Sequence, residues 1–149
     1  MSGLYLEDYA VGQRFTSASR TVDTEAITTF ARQYDPQPFH LDDDAARATI
    51  FSGLAASGWH TAVLTIGLLL ESDFVPASGI VGAGFDEFRW PQPVRPGDTL
   101  HAECEILEVR ESRSRPGQGL IKVKTTTLNQ KGEPVLFFIG NLMVPGRPA

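Results

Sequence analysis

The 149-residue sequence lacks the residue patterns that mark several common functional classes. It contains one cysteine, Cys104, which excludes an internal disulfide. Its three histidines lack the H-x-x-H or H-x-x-x-H spacing typical of a metal site. The motifs G-x-G-x-x-G, G-x-x-x-x-G-K-[ST] and G-x-S-x-G are also missing. We therefore expect neither a bound metal ion nor a cofactor.

Basic clusters and long apolar runs are missing as well. The 13 Lys and Arg residues against 18 Asp and Glu give a formal net charge of −5, which disfavours a nucleic-acid-binding surface. The longest helix-compatible apolar stretch, Trp59 to Leu70, is too short for a bilayer core of roughly 30 Å. The segment from Met1 to Phe15 lacks the basic start and apolar run of a secretory signal. We expect a cytoplasmic protein without membrane or nucleic-acid partners.

The composition is typical of a folded globular protein, with 42% hydrophobic and 21% charged residues. No internal repeat or low-complexity tract interrupts the chain. Segments rich in Pro and Gly fall between patterned segments, where they indicate turns. Residues 1–149 are therefore predicted to form a single domain.

Three helices are predicted in the first half of the chain, over about 23–34, 42–49 and 58–70. Asp23 is a suitable N-cap for the first, and Pro36 disfavours helical geometry at the residue before it. The third helix begins near Gly58 and is apolar on nearly every side. Such a helix is expected to lie inside the protein.

From Gly79 onward the apolar residues alternate with a period of two, which is typical of strands. The predicted strands are Ile80–Trp90, Thr99–Arg110, Leu120–Asn129 and Pro134–Val144. The segment from Asn129 to Gly132 predicts a hairpin turn. Helices followed by long antiparallel strands indicate the α+β class, with a curved sheet wrapped around the apolar helix.

The most informative short segment runs from Tyr34 to His40, Y-D-P-Q-P-F-H. Its two prolines predict an extended, well-defined loop. Asp35 ends the first helix, where the helix dipole disfavours an anion, so its position is anomalous for stability. Asp35 and His40 could hold and polarise one water molecule as an acid/base pair. Local hydrogen bonding to the backbone is the alternative, and the residues alone leave both open.

A second candidate lies at the start of the apolar helix, in the segment A-A-S-G-W-H that ends at His60. Free N–H groups at a helix start can bind an oxygen that gains negative charge, and Gly58 permits close approach to the backbone. The alternative is that Ser57 is an ordinary N-cap followed by a turn glycine. His60 is either a pocket residue or a hydrogen-bonded core histidine.

A third segment, from Arg89 to Leu100, contains R-W-P-Q-P-V-R-P-G-D-T-L. It predicts the end of one strand, a rigid connection and a tight turn into the next strand, so most of it is interpreted as architecture. Arg89 or Arg95 could contact a phosphate, and a solvated surface arginine is the alternative.

The sequence resembles the MaoC-like dehydratases, the group containing the (R)-specific enoyl-CoA hydratases, over nearly its whole length. The resemblance is carried by the opening E-D-Y-A-V-G-Q, by D-x(4)-H from Asp35 to His40, by the Gly58 turn, and by P-V-x-x-G-D from Pro93 to Asp98. These elements occur in the family's order.

The resemblance implies a hot-dog fold and a homodimer or higher homo-oligomer with an acyl-thioester tunnel near the subunit interface. It implies that Asp35 and His40 bind the catalytic water and that the N–H of Gly58 binds the thioester carbonyl. The reaction is then the reversible syn addition of water to a trans-2-enoyl thioester carried by CoA or a carrier protein. The remaining substrate-binding candidates are Phe39, Ser57, Trp59, His60 and Arg89.

The chain departs from the family pattern at two places. Ser57 replaces a common histidine, and no serine lies between Thr61 and Leu70 in the central helix. Two other functions compete with the hydratase: a hot-dog thioesterase and a non-catalytic acyl-thioester-binding module. The thioesterase is disfavoured because no Asp or Glu occurs between Gly58 and Leu70.

Overall fold

An antiparallel sheet provides most of the regular structure in the computed structural model, which describes residues 3–149. Its strands are β1 (Arg14–Thr16), β2 (Arg20–Thr21), β3 (Val81–Arg89), β4 (Thr99–Glu111), β5 (Gln118–Leu128) and β6 (Pro134–Pro145). The order across the sheet is β1-β4-β5-β6-β3, and β2 pairs with β4 beside β1. All the strand pairs are antiparallel.

The four long strands and their hairpin occur where the alternating pattern predicted them. In β5, buried and half-buried residues alternate almost throughout the strand, as expected for a sheet with one covered face. The β5–β6 turn closes when the N–H of Gly132 donates to the carbonyl of Asn129 at 3.0 Å. Gly132 has a φ of +74°, a conformation that favours glycine.

Residues 3–149 contain four α-helices: α1 (Thr24–Tyr34), α2 (Pro38–Leu41), α3 (Asp43–Arg47) and α4 (Gly58–Leu70). A short 3-10 helix also covers Leu6–Asp8. Asp23 caps α1 by accepting from the N–H of Ala26 at 2.8 Å. Asp42 caps α3 by accepting from the N–H of Ala45 at 3.0 Å. The predicted helix starts are therefore confirmed, and α3 ends two residues before the predicted 49.

The inner side of α4 packs on one face of the sheet. Leu68 and Leu69 lie in one buried cluster with Cys104, Ile106 and Ile121 of β4 and β5. A second cluster joins α1 to the segment before α4 and to the starts of β4 and β6. The α+β class and the helix against the sheet are confirmed.

The prediction that α4 is buried on nearly every side is wrong for the single chain. Trp59 is 59% exposed, and Val63 and Leu70 lie on the same exposed face. The sheet covers one side of the helix, and β3, which follows α4 in the chain, is itself exposed along most of its length. Its Phe85 adds to the apolar surface.

The prediction of an extended loop between Asp35 and His40 is also wrong. Pro38 occupies the first turn of α2, where its fixed φ favours helical geometry and its missing N–H costs no hydrogen bond. His40 is therefore presented from a helical turn. Within residues 3–149, no helix is long and apolar enough to cross a membrane.

Candidate active site

A pocket of about 310 Å³ opens between the α1–α2 junction, the start of α4 and the segment that follows β3. One wall is polar and contains Asp35 and His40. The remaining lining is largely apolar and comprises Phe51, Ala56, Gly58, Trp59, Thr61, Trp90, Pro91, Gln92, Pro93 and Val94. A mostly apolar pocket with a few convergent polar groups is the usual form of a small-molecule site.

Asp35 is the C-cap of α1, where the helix dipole opposes its negative charge. Two side chains offset this by donating hydrogen bonds to its carboxylate. The amide of Gln37 binds Oδ1 at 2.5 Å, and the hydroxyl of Ser57 binds Oδ2 at 2.7 Å. Burial raises the pKa of Asp35, but these hydrogen bonds and the nearby His40 outweigh it, so the pKa lies below its ordinary value.

His40 is buried and held in one tautomer by the backbone. Its Nδ1 lies 2.6 Å from the carbonyl oxygen of Ala55, which can only accept, so Nδ1 carries the hydrogen. In the neutral imidazole, Nε2 is then an acceptor, and it lies 3.5 Å from Oδ2 of Asp35. Two hydrogen-bond acceptors therefore face each other at the edge of the pocket.

Aromatic rings fix the orientation of this imidazole. The ring of Phe39 meets that of His40 edge to face, with centroids 4.6 Å apart. The ring centroid of Phe51 lies 5.8 Å from that of the imidazole, and the Phe51 ring also contacts Phe39. The sequence predicted that Phe39 binds substrate; in the structure it supports His40 and is not among the residues that line the pocket.

Gly58 begins α4 and borders the pocket directly. The first N–H groups of a helix have no carbonyl partner within the helix and carry its positive partial charge, so they can bind an anionic oxygen. The indole N–H of Trp90 donates to the carbonyl of Gly58 at 2.9 Å. A Cβ at position 58 would lie 2.5 Å from the Trp90 ring, so this contact requires glycine.

The other predicted substrate-binding residues occupy different environments. Trp59 lines the pocket, whereas Ser57 is fully buried behind it. Arg89 is exposed, and its guanidinium Nη2 lies 3.6 Å from the carboxylate Oε2 of Glu87. Among the described residues, neither Arg89 nor His60 lines this pocket.

His60 packs against α1 instead. Its ring stacks on Phe30, with centroids 4.8 Å apart and planes inclined by 9°. Its buried Nδ1 has no hydrogen-bond partner within residues 3–149. Burial lowers the pKa of this imidazole, because the charged form loses more hydration than the neutral form.

The segment from Trp90 to Val94, most of which was interpreted from the sequence as architecture, forms a wall of the pocket. An aromatic residue followed by P-Q-P at a strand end was the available signal. The contacts of Gln37 and Ser57 with Asp35 were missed as well, since the pairing with Ser57 spans 22 residues of chain. Across residues 3–149, no three His, Cys, Asp or Glu side chains converge as a metal site.

The antiparallel sheet with α4 packed against one face defines the class of the fold, which is the hot-dog fold. Residues 8–129 match the MaoC like domain, and the chain belongs to this family. A crystal structure of a MaoC-like dehydratase from Rhodospirillum rubrum superimposes with a TM-score of 0.95 at 51% identity. The alignment covers 99% of this chain and 100% of that one. The predicted family and hot-dog fold are confirmed.

Two curated relatives extend this comparison. The uncharacterized protein YdeM of Bacillus subtilis is 32% identical over 139 residues, covering 93% of this chain and 96% of YdeM. The mesaconyl-CoA hydratase of Cereibacter sphaeroides is 30% identical over 148 residues, covering 98% of this chain. The match covers 42% of that hydratase, so the whole enzyme's activity does not transfer by similarity alone.

Proposed function

We propose that this protein is a hydratase that reversibly adds water to a trans-2-enoyl thioester. The observation that supports this function best is the pair of acceptors, Oδ2 of Asp35 and Nε2 of His40, at 3.5 Å beside an apolar pocket. One water molecule has two O–H donors and can bind both acceptors at once. Its oxygen lone pairs then point away from the pair and toward a bound substrate.

The proposed reaction uses the pair on one face of the substrate. The water oxygen bonds to C3 as one of its O–H bonds breaks, and the pair takes that proton. The electrons of the C2–C3 double bond move toward the thioester oxygen, which accepts a hydrogen bond from the N–H of Gly58. The pair then delivers the proton to C2, so it returns to its starting state and the addition is syn.

The aromatic rings of Trp59 and Trp90, which line the pocket, favour a substrate with a short acyl chain. The pocket volume of about 310 Å³ lies at the lower end of the usual range for ligand sites. Trp59 and Trp90 meet edge to face with centroids 5.1 Å apart, and both rings border the pocket. A chain that extends from a thioester oxygen at Gly58 would meet these rings within a few carbons. The acyl group is carried as a thioester of CoA or of a carrier protein.

Two copies of the chain are proposed to associate along the free edge of β3. This strand is the last in the sheet order, and an unpaired edge readily pairs with another strand. Exposed Phe85 on β3 contacts Phe88, which contacts exposed Trp59 on α4, so the strand and the helix share one apolar surface. Light scattering after gel filtration should give twice the mass of the chain. A monomer at micromolar concentration would contradict this association.

The function is tested with a panel of enoyl-CoA substrates that includes crotonyl-CoA, a long-chain trans-2-enoyl-CoA and mesaconyl-CoA. Hydration removes the enoyl-thioester absorbance without releasing free thiol. We expect this result with the short substrates and much slower loss with the long chain. Release of free thiol from saturated acyl-CoA would instead support the thioesterase. Binding without turnover across the panel would support the non-catalytic module.

A further inference from the structure

The hydroxyl of Ser57 makes two hydrogen bonds, one as acceptor and one as donor. As the N-cap of α4, Oγ accepts from the N–H of Trp59 at 3.2 Å. The same hydroxyl donates to Oδ2 of Asp35 at 2.7 Å. The bond to the carboxylate is the shorter of the two, as expected for a hydrogen bond to a charged acceptor.

The oxygen that Ser57 holds is the one that faces His40. Oδ2 of Asp35 lies 3.5 Å from Nε2 of His40, while Gln37 holds Oδ1 on the other side of the carboxylate. The carboxylate therefore cannot rotate about its last bond without breaking both hydrogen bonds. Asp35 has left the regular helix, so its own backbone does not fix this orientation.

Ser57 has no access to a substrate in the pocket. Its side chain is fully buried and is not among the residues that line the cavity. Its hydroxyl acts only on Asp35 and on the start of α4. This environment differs from the substrate contact that the sequence predicted for Ser57.

We propose that Ser57 is a positioning residue, which fixes Oδ2 of Asp35 toward His40 so that both can bind one water molecule. The inference rests on the proposed hydratase function. It assigns a role to a buried side chain that does not line the pocket. Ser57 thereby couples the start of α4, where Gly58 binds the thioester oxygen, to the acid/base pair.

The groups around Asp35 predict a titration that reports this contact. His40 on α2 is the titratable group that faces the carboxylate, while Gln37 and Ser57 contribute neutral donors. Donors to the ionised form lower the pKa of a carboxyl group. Loss of the Ser57 hydroxyl should therefore raise the pKa of Asp35.

The test compares Ser57→Ala with the wild-type protein in two measurements. We expect kcat on crotonyl-CoA to fall roughly 10- to 100-fold with little change in KM, the effect of losing one hydrogen bond to a charged group. A carbon-13 NMR titration should show the Asp35 carboxyl pKa moved upward. Ser57→Thr keeps the hydroxyl and should restore both values toward those of the wild type.

A matched control separates positioning from capping. Asp23→Ala removes the N-cap of α1, at the end of that helix remote from Asp35, and should lower stability while leaving kcat and the Asp35 pKa unchanged. If Ser57→Ala does not fold, Ser57→Gly replaces it, because glycine is tolerated at an N-cap.

The inference is overturned if Ser57→Ala loses stability but keeps the wild-type kcat and the wild-type pKa of Asp35. It is also overturned if the wild-type protein hydrates none of the substrates and Ser57→Ala leaves the pKa of Asp35 unchanged. If the wild type is inactive but Ser57→Ala raises the pKa of Asp35, Ser57 still positions the carboxylate, and only the proposed hydratase function is rejected.

Discussion

Two buried histidines differ in their surroundings: His40 lines the pocket, whereas His60 packs against Phe30 on α1. His40 is 4% exposed and His60 is 7% exposed, and each packs against an aromatic ring. His40 has a backbone carbonyl on one nitrogen and a carboxylate near the other. His60 has a stacked ring and, within the described chain, no partner for its buried Nδ1.

The comparison shows that two imidazoles of similar burial differ in their hydrogen-bond partners. The carbonyl of Ala55 fixes the tautomer of His40, so the nitrogen that faces Asp35 is available as an acceptor. Burial lowers the pKa of His60, and its ring stacks on Phe30 rather than facing a carboxylate. We therefore expect mutations at the two regions to affect different properties.

The largest effect is expected from the carboxylate that distinguishes the His40 region. Asp35→Asn keeps the size of the side chain but removes the charge, and kcat on crotonyl-CoA should fall by about 10³-fold or more. The absorbance assay measures this loss. Asp73→Asn, an exposed carboxylate beyond the far end of α4, is the matched control and should retain wild-type activity. Equal rates for Asp35→Asn and the wild type would remove Asp35 from the mechanism.

The same substitution at each histidine gives the second test. His40→Phe should lower kcat by roughly 10²- to 10⁴-fold, since it removes the acceptor at Nε2. His60→Phe should leave kcat within about twofold, because a phenyl ring can keep the stacking on Phe30. Steady-state kinetics on the two variants checks this. A similar loss at both positions would break the distinction between the two regions.

A smaller effect is expected on stability. His60→Phe removes a buried nitrogen without a partner, and should raise the free energy of unfolding by about 1 kcal/mol. His40→Phe should lower it, since the carbonyl of Ala55 then loses its donor. Chemical denaturation at pH 7 measures both changes. Destabilisation of His60→Phe would indicate that Nδ1 of His60 has a stabilising partner.

The smallest effect concerns the pH dependence of stability. Burial lowers the pKa of His60 from its ordinary value of 6.5, so below that pH the unfolded chain binds a proton that the folded chain does not. The free energy of unfolding should therefore fall as the pH drops through about 6.5 toward the folded pKa. The decline should be shallower in His60→Phe. Parallel curves for the variant and the wild type would contradict this origin.

Local signals in the sequence predicted most of the fold. Asp23 and Gly58 mark the starts of α1 and α4, and the alternating pattern after Gly79 marks the long strands. The short strands β1 and β2 have too few residues to show an alternating pattern. They are recognised as strands only from their pairing with β4. The exposed face of α4 could not be predicted either, because a helix that is apolar on nearly every side does not indicate which side packs on the sheet.

The candidate site was predicted only where its residues lie close together in the sequence or at a helix start. Asp35 and His40 are five residues apart and could be paired from spacing alone. The hydroxyl of Ser57 and the indole of Trp90 reach the site through packing between distant segments, which sequence spacing does not encode. Apart from Gly58, which the sequence singled out at the start of α4, the contacts outside the Asp35–His40 segment required the three-dimensional arrangement.

The stereochemistry of hydration in D2O tests the central claim most directly. If one water molecule between Oδ2 of Asp35 and Nε2 of His40 supplies both the hydroxyl and the proton, they must add to one face of the double bond. Proton NMR of the product from crotonyl-CoA should then show deuterium at C2 and the hydroxyl at C3 added on the same side. Addition from opposite sides would contradict a single water held by this pair.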